Sequence, residues 1–289
     1  MSPSDFNVTE LADFAQSRPH HPERVVERTR YRTVWISDVH LGTRGCNAPM
    51  LIDFLDHVDS DVMYLVGDII DGWQLKKRFH WPAAHNDVVW RLMKRAKRGT
   101  RVVYIPGNHD EMFRQFTGLD FGGVEIRRKT IHETADGRRL LVLHGDEFDA
   151  ITMGHRWLAH LGDYAYTALM GLNRWVSIAR RLAGMPYWSL SKHAKAKVKN
   201  AVAFISKFEE VVAHAAGTRG VDGVVCGHIH TADMRVINGV EYYNDGDWVE
   251  GCNALVEHFD GRMEILNWAD VIAERERAKP SADVVRIAA

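Results

Sequence analysis

Short apolar runs ending in Gly, Asn or Asp alternate along the first half of the chain with stretches whose apolar residues recur every three or four positions. The runs TVWIS, VMYLVG and RVVYIPG are separated by helical patterns over 48–58 and 88–97. Strand, helix, strand at this spacing predicts βαβ units in a mostly parallel or mixed sheet. Further strands are expected at VEIRRKTIHE, RRLLVLHG and GVVCGHIH. Beyond them, ADMRVINGVEYYNDG and NALVEHFDGRMEILN read as hairpins turning at Asn238-Gly239 and Asp260-Gly261. The pattern therefore predicts an α/β core with an antiparallel C-terminal part.

One segment breaks the alternation. Over 150–218 the strand signals stop, and residues rich in Trp, Tyr, Met and Leu follow helical spacing, which predicts a helical insertion between two strands of the core. The expected organisation is a polar N-terminal extension (1–29), a core from 30–149 and 219–268, the insertion (150–218), and a C-terminal tail (269–289).

Composition narrows the function classes. The chain has 289 residues, 46% of them hydrophobic, enough for a sizeable core. Its 37 Lys and Arg nearly balance its 38 Asp and Glu, so net charge gives no argument for a nucleic-acid partner. A local exception lies in the insertion, where Arg174, Arg180, Arg181, Lys192, Lys195, Lys197 and Lys199 occur with no acid among them. Three scattered cysteines exclude a disulfide framework or a thiolate zinc site and suggest a reducing compartment. The first residues do not look like a secretory signal, and no uncharged apolar run reaches the roughly 18 residues that would span a bilayer. A cytoplasmic protein, at most peripheral to a membrane, is expected.

The chemistry sits at the ends of the apolar runs. Five of them finish in a turn carrying metal-capable side chains: Asp38 and His40 in SDVHLG, Asp68 in VGDIID, Asn108 and His109 in PGNHDE, His144 in LHGDE, and His228 and His230 in CGHIH. In an open α/β sheet the carboxyl ends of strands lie side by side, so residues remote in sequence meet in the crevice beyond them. Extended chain would project Asp38 with His40, and His228 with His230, to the same side. Gly67, Gly107, Gly145 and Gly227 would let the backbone turn sharply beside these residues. Singly each motif is weak; together, in this order, they point to metal. Two carboxylates, one amide and four imidazoles exceed the needs of one catalytic ion, which keeps an open position. Two ions sharing a carboxylate fit better. Nitrogen and oxygen donors without thiolate suit manganese, iron(II), zinc or cobalt, and two ions ~3.5–4 Å apart suit hydrolysis of a phosphoester or pyrophosphate.

These five motifs resemble the signature of the calcineurin-like metallophosphoesterases. The resemblance implies a fold of two packed mixed β-sheets flanked by helices, and two divalent cations, Mn²⁺ foremost. It implies that Asp38, His40, Asp68 and His230 hold one cation, that Asp68, Asn108, His144 and His228 hold the other, and that Asp68 bridges them. It further implies that His109 contacts phosphate and protonates the leaving oxygen, with Asp110 orienting it. Within that superfamily the chain is most similar to the UDP-2,3-diacylglucosamine pyrophosphatases of lipid A synthesis, on the strength of LVGDIIDGW with Trp73, LHGDEFD, and the position of the insertion. That likeness implies an acylated nucleotide-sugar substrate met at the inner membrane surface. The insertion would act as a cap, and Asn108, His109, Arg174, Arg180, Arg181, Lys192 and Lys195 would face the substrate's phosphates. The characterised lipid A enzymes carry Arg where this chain has His109; a histidine can exchange a proton near neutral pH, as in the wider phosphoesterase mechanism. Other readings are a phosphodiester, nucleotide or phosphoprotein hydrolase, then a nuclease or a metal-free binding module.

Overall fold

A computed structural model describes residues 28–149, 152 and 191–278, with the side chains of 191–203 left aside. Two mixed sheets pack face to face, and helices cover their outer faces. The first sheet has seven strands, ordered β12–β11–β1–β2–β3–β5–β4: β1 (Thr29–Ile36), β2 (Val58–Leu65), β3 (Arg101–Tyr104), β4 (Asp120–Phe121), β5 (Val124–Ile126), β11 (Asn253–Glu257) and β12 (Met263–Asn267). The second has five, ordered β6–β7–β8–β10–β9: β6 (Thr130–Glu133), β7 (Arg139–Val142), β8 (Gly223–Cys226), β9 (Asp233–Ile237) and β10 (Val240–Asn244). Strands β1, β2, β3 and β5 run parallel in the first sheet, as do β7, β8 and β10 in the second.

Both faces of the central strands are buried, which explains why they read as continuous apolar runs rather than alternating ones. In β1, Trp35 points between the sheets, where it stacks on Tyr64 and joins Val103, Leu140, Val142 and Val225. Its neighbours Val34 and Ile36 point outward, under α1 (Ala48–His57) and α3 (Ala83–Lys97). A short α2 (Gly72–Lys77) precedes α3, with the Asp71 carboxylate capping it through the Gln74 N–H at 2.8 Å. On the outer face of the second sheet, Phe208, Val212 and Ala216 of α4 (Ser191–Gly217) pack on Leu141, Val224 and Tyr242.

Three expectations are corrected by this packing. The run VEIRRKTIHE is two strands in different sheets: β5 ends at Ile126, and Arg127–Lys129 cross over to β6. The C-terminal part of α4, expected within the insertion, is core, because Phe208 and Val212 are fully buried on the second sheet. Residues 269–278, expected as tail, belong to α5 (Trp268–Ala278), which Trp268 anchors edge-on against Phe54. Both hairpins form. Asn238 and Gly239, at φ 52° and 83°, make the two-residue turn between β9 and β10, as a type I′ turn demands. The β11–β12 turn closes one pair further out, with the His258 N–H donating to Arg262 O. Residues 1–27 of the N-terminal extension and residues 153–190 lie outside the described residues, and Arg174, Arg180 and Arg181 with them. Lys192 and Lys195 fall on α4, but their side chains are not described.

Candidate metal centre

The carboxyl ends of the parallel strands of both sheets meet at one place, and the loops leaving them are laced by backbone. Asp38 N–H donates to Gly67 O (3.0 Å), His40 N–H to Asp68 O (2.9 Å), Gly227 N–H to His144 O (3.1 Å) and Gly72 N–H to His109 O (3.0 Å). The sequence motifs thus become adjacent loops. They are left-handed at the key residues rather than extended. Asp38, His40, Asp68, His228 and His230 all have positive φ, between 50° and 72°. Left-handed backbone costs a non-glycine residue about 1–2 kcal/mol, and five such residues at one spot mark a functional site rather than an accident of folding. The four glycines also divide by reason. Gly67 and Gly145 hold left-handed φ of 84° and 119° and also leave no room for a Cβ, whereas Gly107 and Gly227 are needed for space alone. A Cβ on Gly107 would meet His144 Nε2 at 2.6 Å, and one on Gly227 would meet Asp38 Oδ2 at 2.5 Å.

The side chains gather into groups. Asp38, His40 and His230 converge, with His230 Nε2 at 3.1 Å from Asp38 Oδ1 and 3.4 Å from His40 Nε2. Asp68, His144 and His228 form a second group, in which His144 Nε2 is 3.5 Å from Asp68 Oδ2. His228 and His230 therefore face different groups, contrary to the shared side that alternation predicted. Asn108 sits between the loops with its Oδ1 buried and unpartnered.

These residues fit divalent cations. Asp38 Oδ1, Asn108 Oδ1 and His144 Nε2 are buried with no hydrogen bond, and these three orphaned atoms all belong to the strand-end loops of the centre. The His144 ring places Nδ1 2.7 Å from Val66 O, a bond that assigns the proton there and leaves the Nε2 lone pair free, as metal-bound imidazoles are held. His228 is held likewise by Asp149, 2.8 Å from its Nε2, which leaves Nδ1 for the centre. The donors are oxygen and nitrogen only.

Electrostatics couple the acids to the imidazoles. Burial pushes the Asp38 carboxyl up, but the His230, His144 and His40 rings outweigh it and hold its pKa far below the usual range. Asp68, likewise opposed by burial, is brought to about 2 by His144. His230, despite its desolvation, is raised to about 9 by Asp38. Bound cations would take the place of those protons.

His109 lies at the mouth of the centre, its side chain 25% exposed. Its backbone N–H donates to Asp68 Oδ1 (2.8 Å), and its ring lies between Trp73, at 4.4 Å, and His40, at 4.7 Å. The acid beside its Nδ1 is Asp71, at 3.0 Å; the same carboxylate oxygen stands 3.3 Å from His40 Nδ1. Asp110, expected to orient His109, turns the other way. It accepts from Gly107 N–H (2.6 Å), Ile69 N–H (2.8 Å) and the Tyr104 hydroxyl, and so braces the loops that carry Asp68 and Asn108. Asp71 and Asp149 escaped the sequence reading. The one signal for Asp71 was its place three residues before Gln74, as a helix cap.

A family model described as calcineurin-like phosphoesterase matches residues 31–232. No curated protein matches the chain. Among solved structures it is similar to an archaeal phosphodiesterase at 11% identity, over 81% of this chain and 98% of that one, with a TM-score of 0.40. It is also similar to the Escherichia coli phosphoesterase YfcE at 13% identity (81% and 98% covered, TM-score 0.39) and to zinc-bound Vps29 of Entamoeba histolytica at 10% (82% and 98%, TM-score 0.36). With the family model spanning most of the two-sheet core, the chain belongs to the calcineurin-like phosphoesterases, hydrolases that act on phosphate esters.

Proposed function

We propose that the protein is a dinuclear-metal phosphohydrolase that cleaves a phosphodiester or pyrophosphate bond. One observation carries this reading: two His/Asp groups side by side, with orphaned donor atoms on Asp38, Asn108 and His144. Asp38, His40 and His230 would hold one cation, Asn108, His144 and His228 the other, and Asp68 both. A bound pair of divalent cations supplies Lewis acidity toward phosphate oxygens and a water. The chain supplies the rest. Asn108 and His109 face the phosphate, and His109 Nε2 gives a proton to the departing oxygen while Asp71 holds its Nδ1 side. Burial alone would lower the His109 pKa; Asp71 and Asp68 outweigh it and raise it above the ordinary imidazole value, the direction a proton donor needs.

Manganese is the metal we favour, on the mixed nitrogen and oxygen donors. For substrate we favour an acylated nucleotide-sugar pyrophosphate of the UDP-2,3-diacylglucosamine type, handled in the cytoplasm at the inner membrane surface. Trp73 supports this, because it sets an aromatic ring against His109 at the mouth of the centre. The basic run Arg174, Arg180, Arg181, Lys192 and Lys195 would meet the substrate's phosphates. Among the described residues no helix is long and apolar enough to cross a membrane.

The test is hydrolysis of an aryl phosphodiester by protein purified without chelator and supplied with Mn²⁺. Activity is expected, with loss of at least a hundredfold in Asn108→Ala. Wild-type rates in Asp68→Ala or Asn108→Ala would overturn the reading. Turnover of the acylated pyrophosphate, assayed separately, decides the substrate.

A further inference from the structure

The second sheet reaches under Asp38. Where β10 ends, Asn244 donates from Nδ2 to Gly227 O (2.8 Å) and accepts the Gly246 N–H on Oδ1 (3.0 Å), which fixes the turn carrying Asp245. Between Asp245 and Asp38 stands Ser37. Its Oγ is 2.5 Å from Asp38 Oδ2, 2.7 Å from Asp245 Oδ1 and 3.0 Å from Gly246 O, and all three side chains are wholly buried.

A hydroxyl has one hydrogen, so it can serve only one of these three acceptors. The nearest is Asp38 Oδ2, at 2.5 Å against 2.7 Å and 3.0 Å for the other two. The short Ser37–Asp245 contact then needs its hydrogen from Asp245, a neutral acid donating to Ser37 Oγ. Burial favours that form, raising the Asp245 pKa well above the usual range against the opposing Ser37 bond, and Asp245 Oδ2 has no hydrogen-bond partner at all. Asp38 Oδ2 also accepts the His228 N–H at 2.9 Å. Oδ2 is therefore doubly engaged on the protein side, while Oδ1 is orphaned and faces His230 and His40.

We propose that Asp245, acting through the Ser37 hydroxyl, is a positioning residue that makes Asp38 a one-oxygen ligand, its Oδ1 aimed at the cation held with His40 and His230. The inference rests on the metal-centre reading above. A chain from the second sheet thereby sets the ligand geometry of a residue on the first.

The test is titration of chelator-stripped protein with Mn²⁺ alone, followed calorimetrically, with circular dichroism to establish folding. Ser37→Ala removes the relay and is expected to weaken one of the two binding events by about 10–100-fold, as loss of partners behind metal ligands does. Asp245→Ala should do the same. Asp245→Asn, whose amide can donate in place of the acid, should bind within about threefold of wild type, a rescue that a merely structural role would not produce. A folded Ser37→Ala that binds Mn²⁺ like the unaltered protein overturns the proposal, as does an Asp245→Asn as weak as Asp245→Ala. Should Asp245→Ala fail to fold, Ser37→Ala decides. If the unaltered protein takes up no Mn²⁺, the metal-centre reading itself falls and this inference with it.

Discussion

Asp71 Oδ2 lies 3.0 Å from His109 Nδ1, so the acid that caps α2 also faces the imidazole at the mouth of the centre. The same carboxylate, although burial opposes its charge, is held well below the usual range by the His109 and His40 rings. One residue thus ties a helix start, a candidate metal ligand and the candidate acid together.

Because Asp71 helps to raise the His109 pKa, Asp71→Asn should lower it. A group that must be protonated to act then loses its proton at lower pH, so the alkaline limb of the pH–rate profile is expected to move toward acid. At pH 8 kcat should drop by about 10²-fold. An unmoved limb would exclude His109 as the acid.

Metal removal should be read in stability as well as rate. A cation that binds only the folded chain stabilises it by mass action. Chelation is therefore expected to lower Tm by several degrees and to abolish phosphodiester hydrolysis, and added Mn²⁺ should restore both. His144→Ala, which deletes an orphaned donor, should bind one equivalent fewer in metal analysis.

Gly107 and Gly99 make a paired test. A Cβ at Gly107 would press on His144 Nε2 and Asp68 Oδ1, whereas Gly99, at φ 98°, has no neighbour within 4 Å of such an atom. Gly107→Ala is expected to cut activity by about 10²-fold, since small displacements of reacting groups have that cost. Gly99→Ala should cost only about 1 kcal/mol of backbone strain, seen in denaturant unfolding, with activity unchanged.

Far from the centre, Glu257 is fully buried, with its carboxylate 2.9 Å from His132 Nε2, 2.8 Å from Thr33 Oγ1 and 2.7 Å from the Ala135 N–H. Burial raises its pKa, but these partners and Arg32 win and bring it from 4.5 to about 2. A depressed folded-state pKa adds stability above the unfolded value, and that stability is lost as pH falls through the folded one. Unfolding measured from pH 5 to pH 2 should therefore show an acid-labile component of about 3 kcal/mol, absent in Glu257→Gln.

Much of this was legible in the order of residues. Continuous apolar runs announced strands buried on both faces, because TVWIS offers Val34 and Ile36 to the helices and Trp35 to the opposite sheet. Asn238-Gly239 announced its turn, since two successive positive φ values suit those residues. The residues now found in two groups were all at strand ends, and that clustering was visible as spacing. What spacing could not carry was direction. His228 and His230 part ways because both sit on left-handed backbone, where the alternation of extended chain does not hold. Nor could it show that Arg127–Lys129 leave one sheet for the other, a step with no local signal.

By itself the amino-acid order determined the element types, the two-hairpin ending and the set of metal-capable side chains, all of which follow from local periodicity and residue chemistry. The tertiary structure alone decided which of those side chains share a group. It also decided that Asp71 rather than Asp110 faces His109, and that Ser37 and Asp245 stand behind Asp38. Those relations join residues up to 208 positions apart, and only the packing of two sheets, which brings their strand ends together, sets such distances.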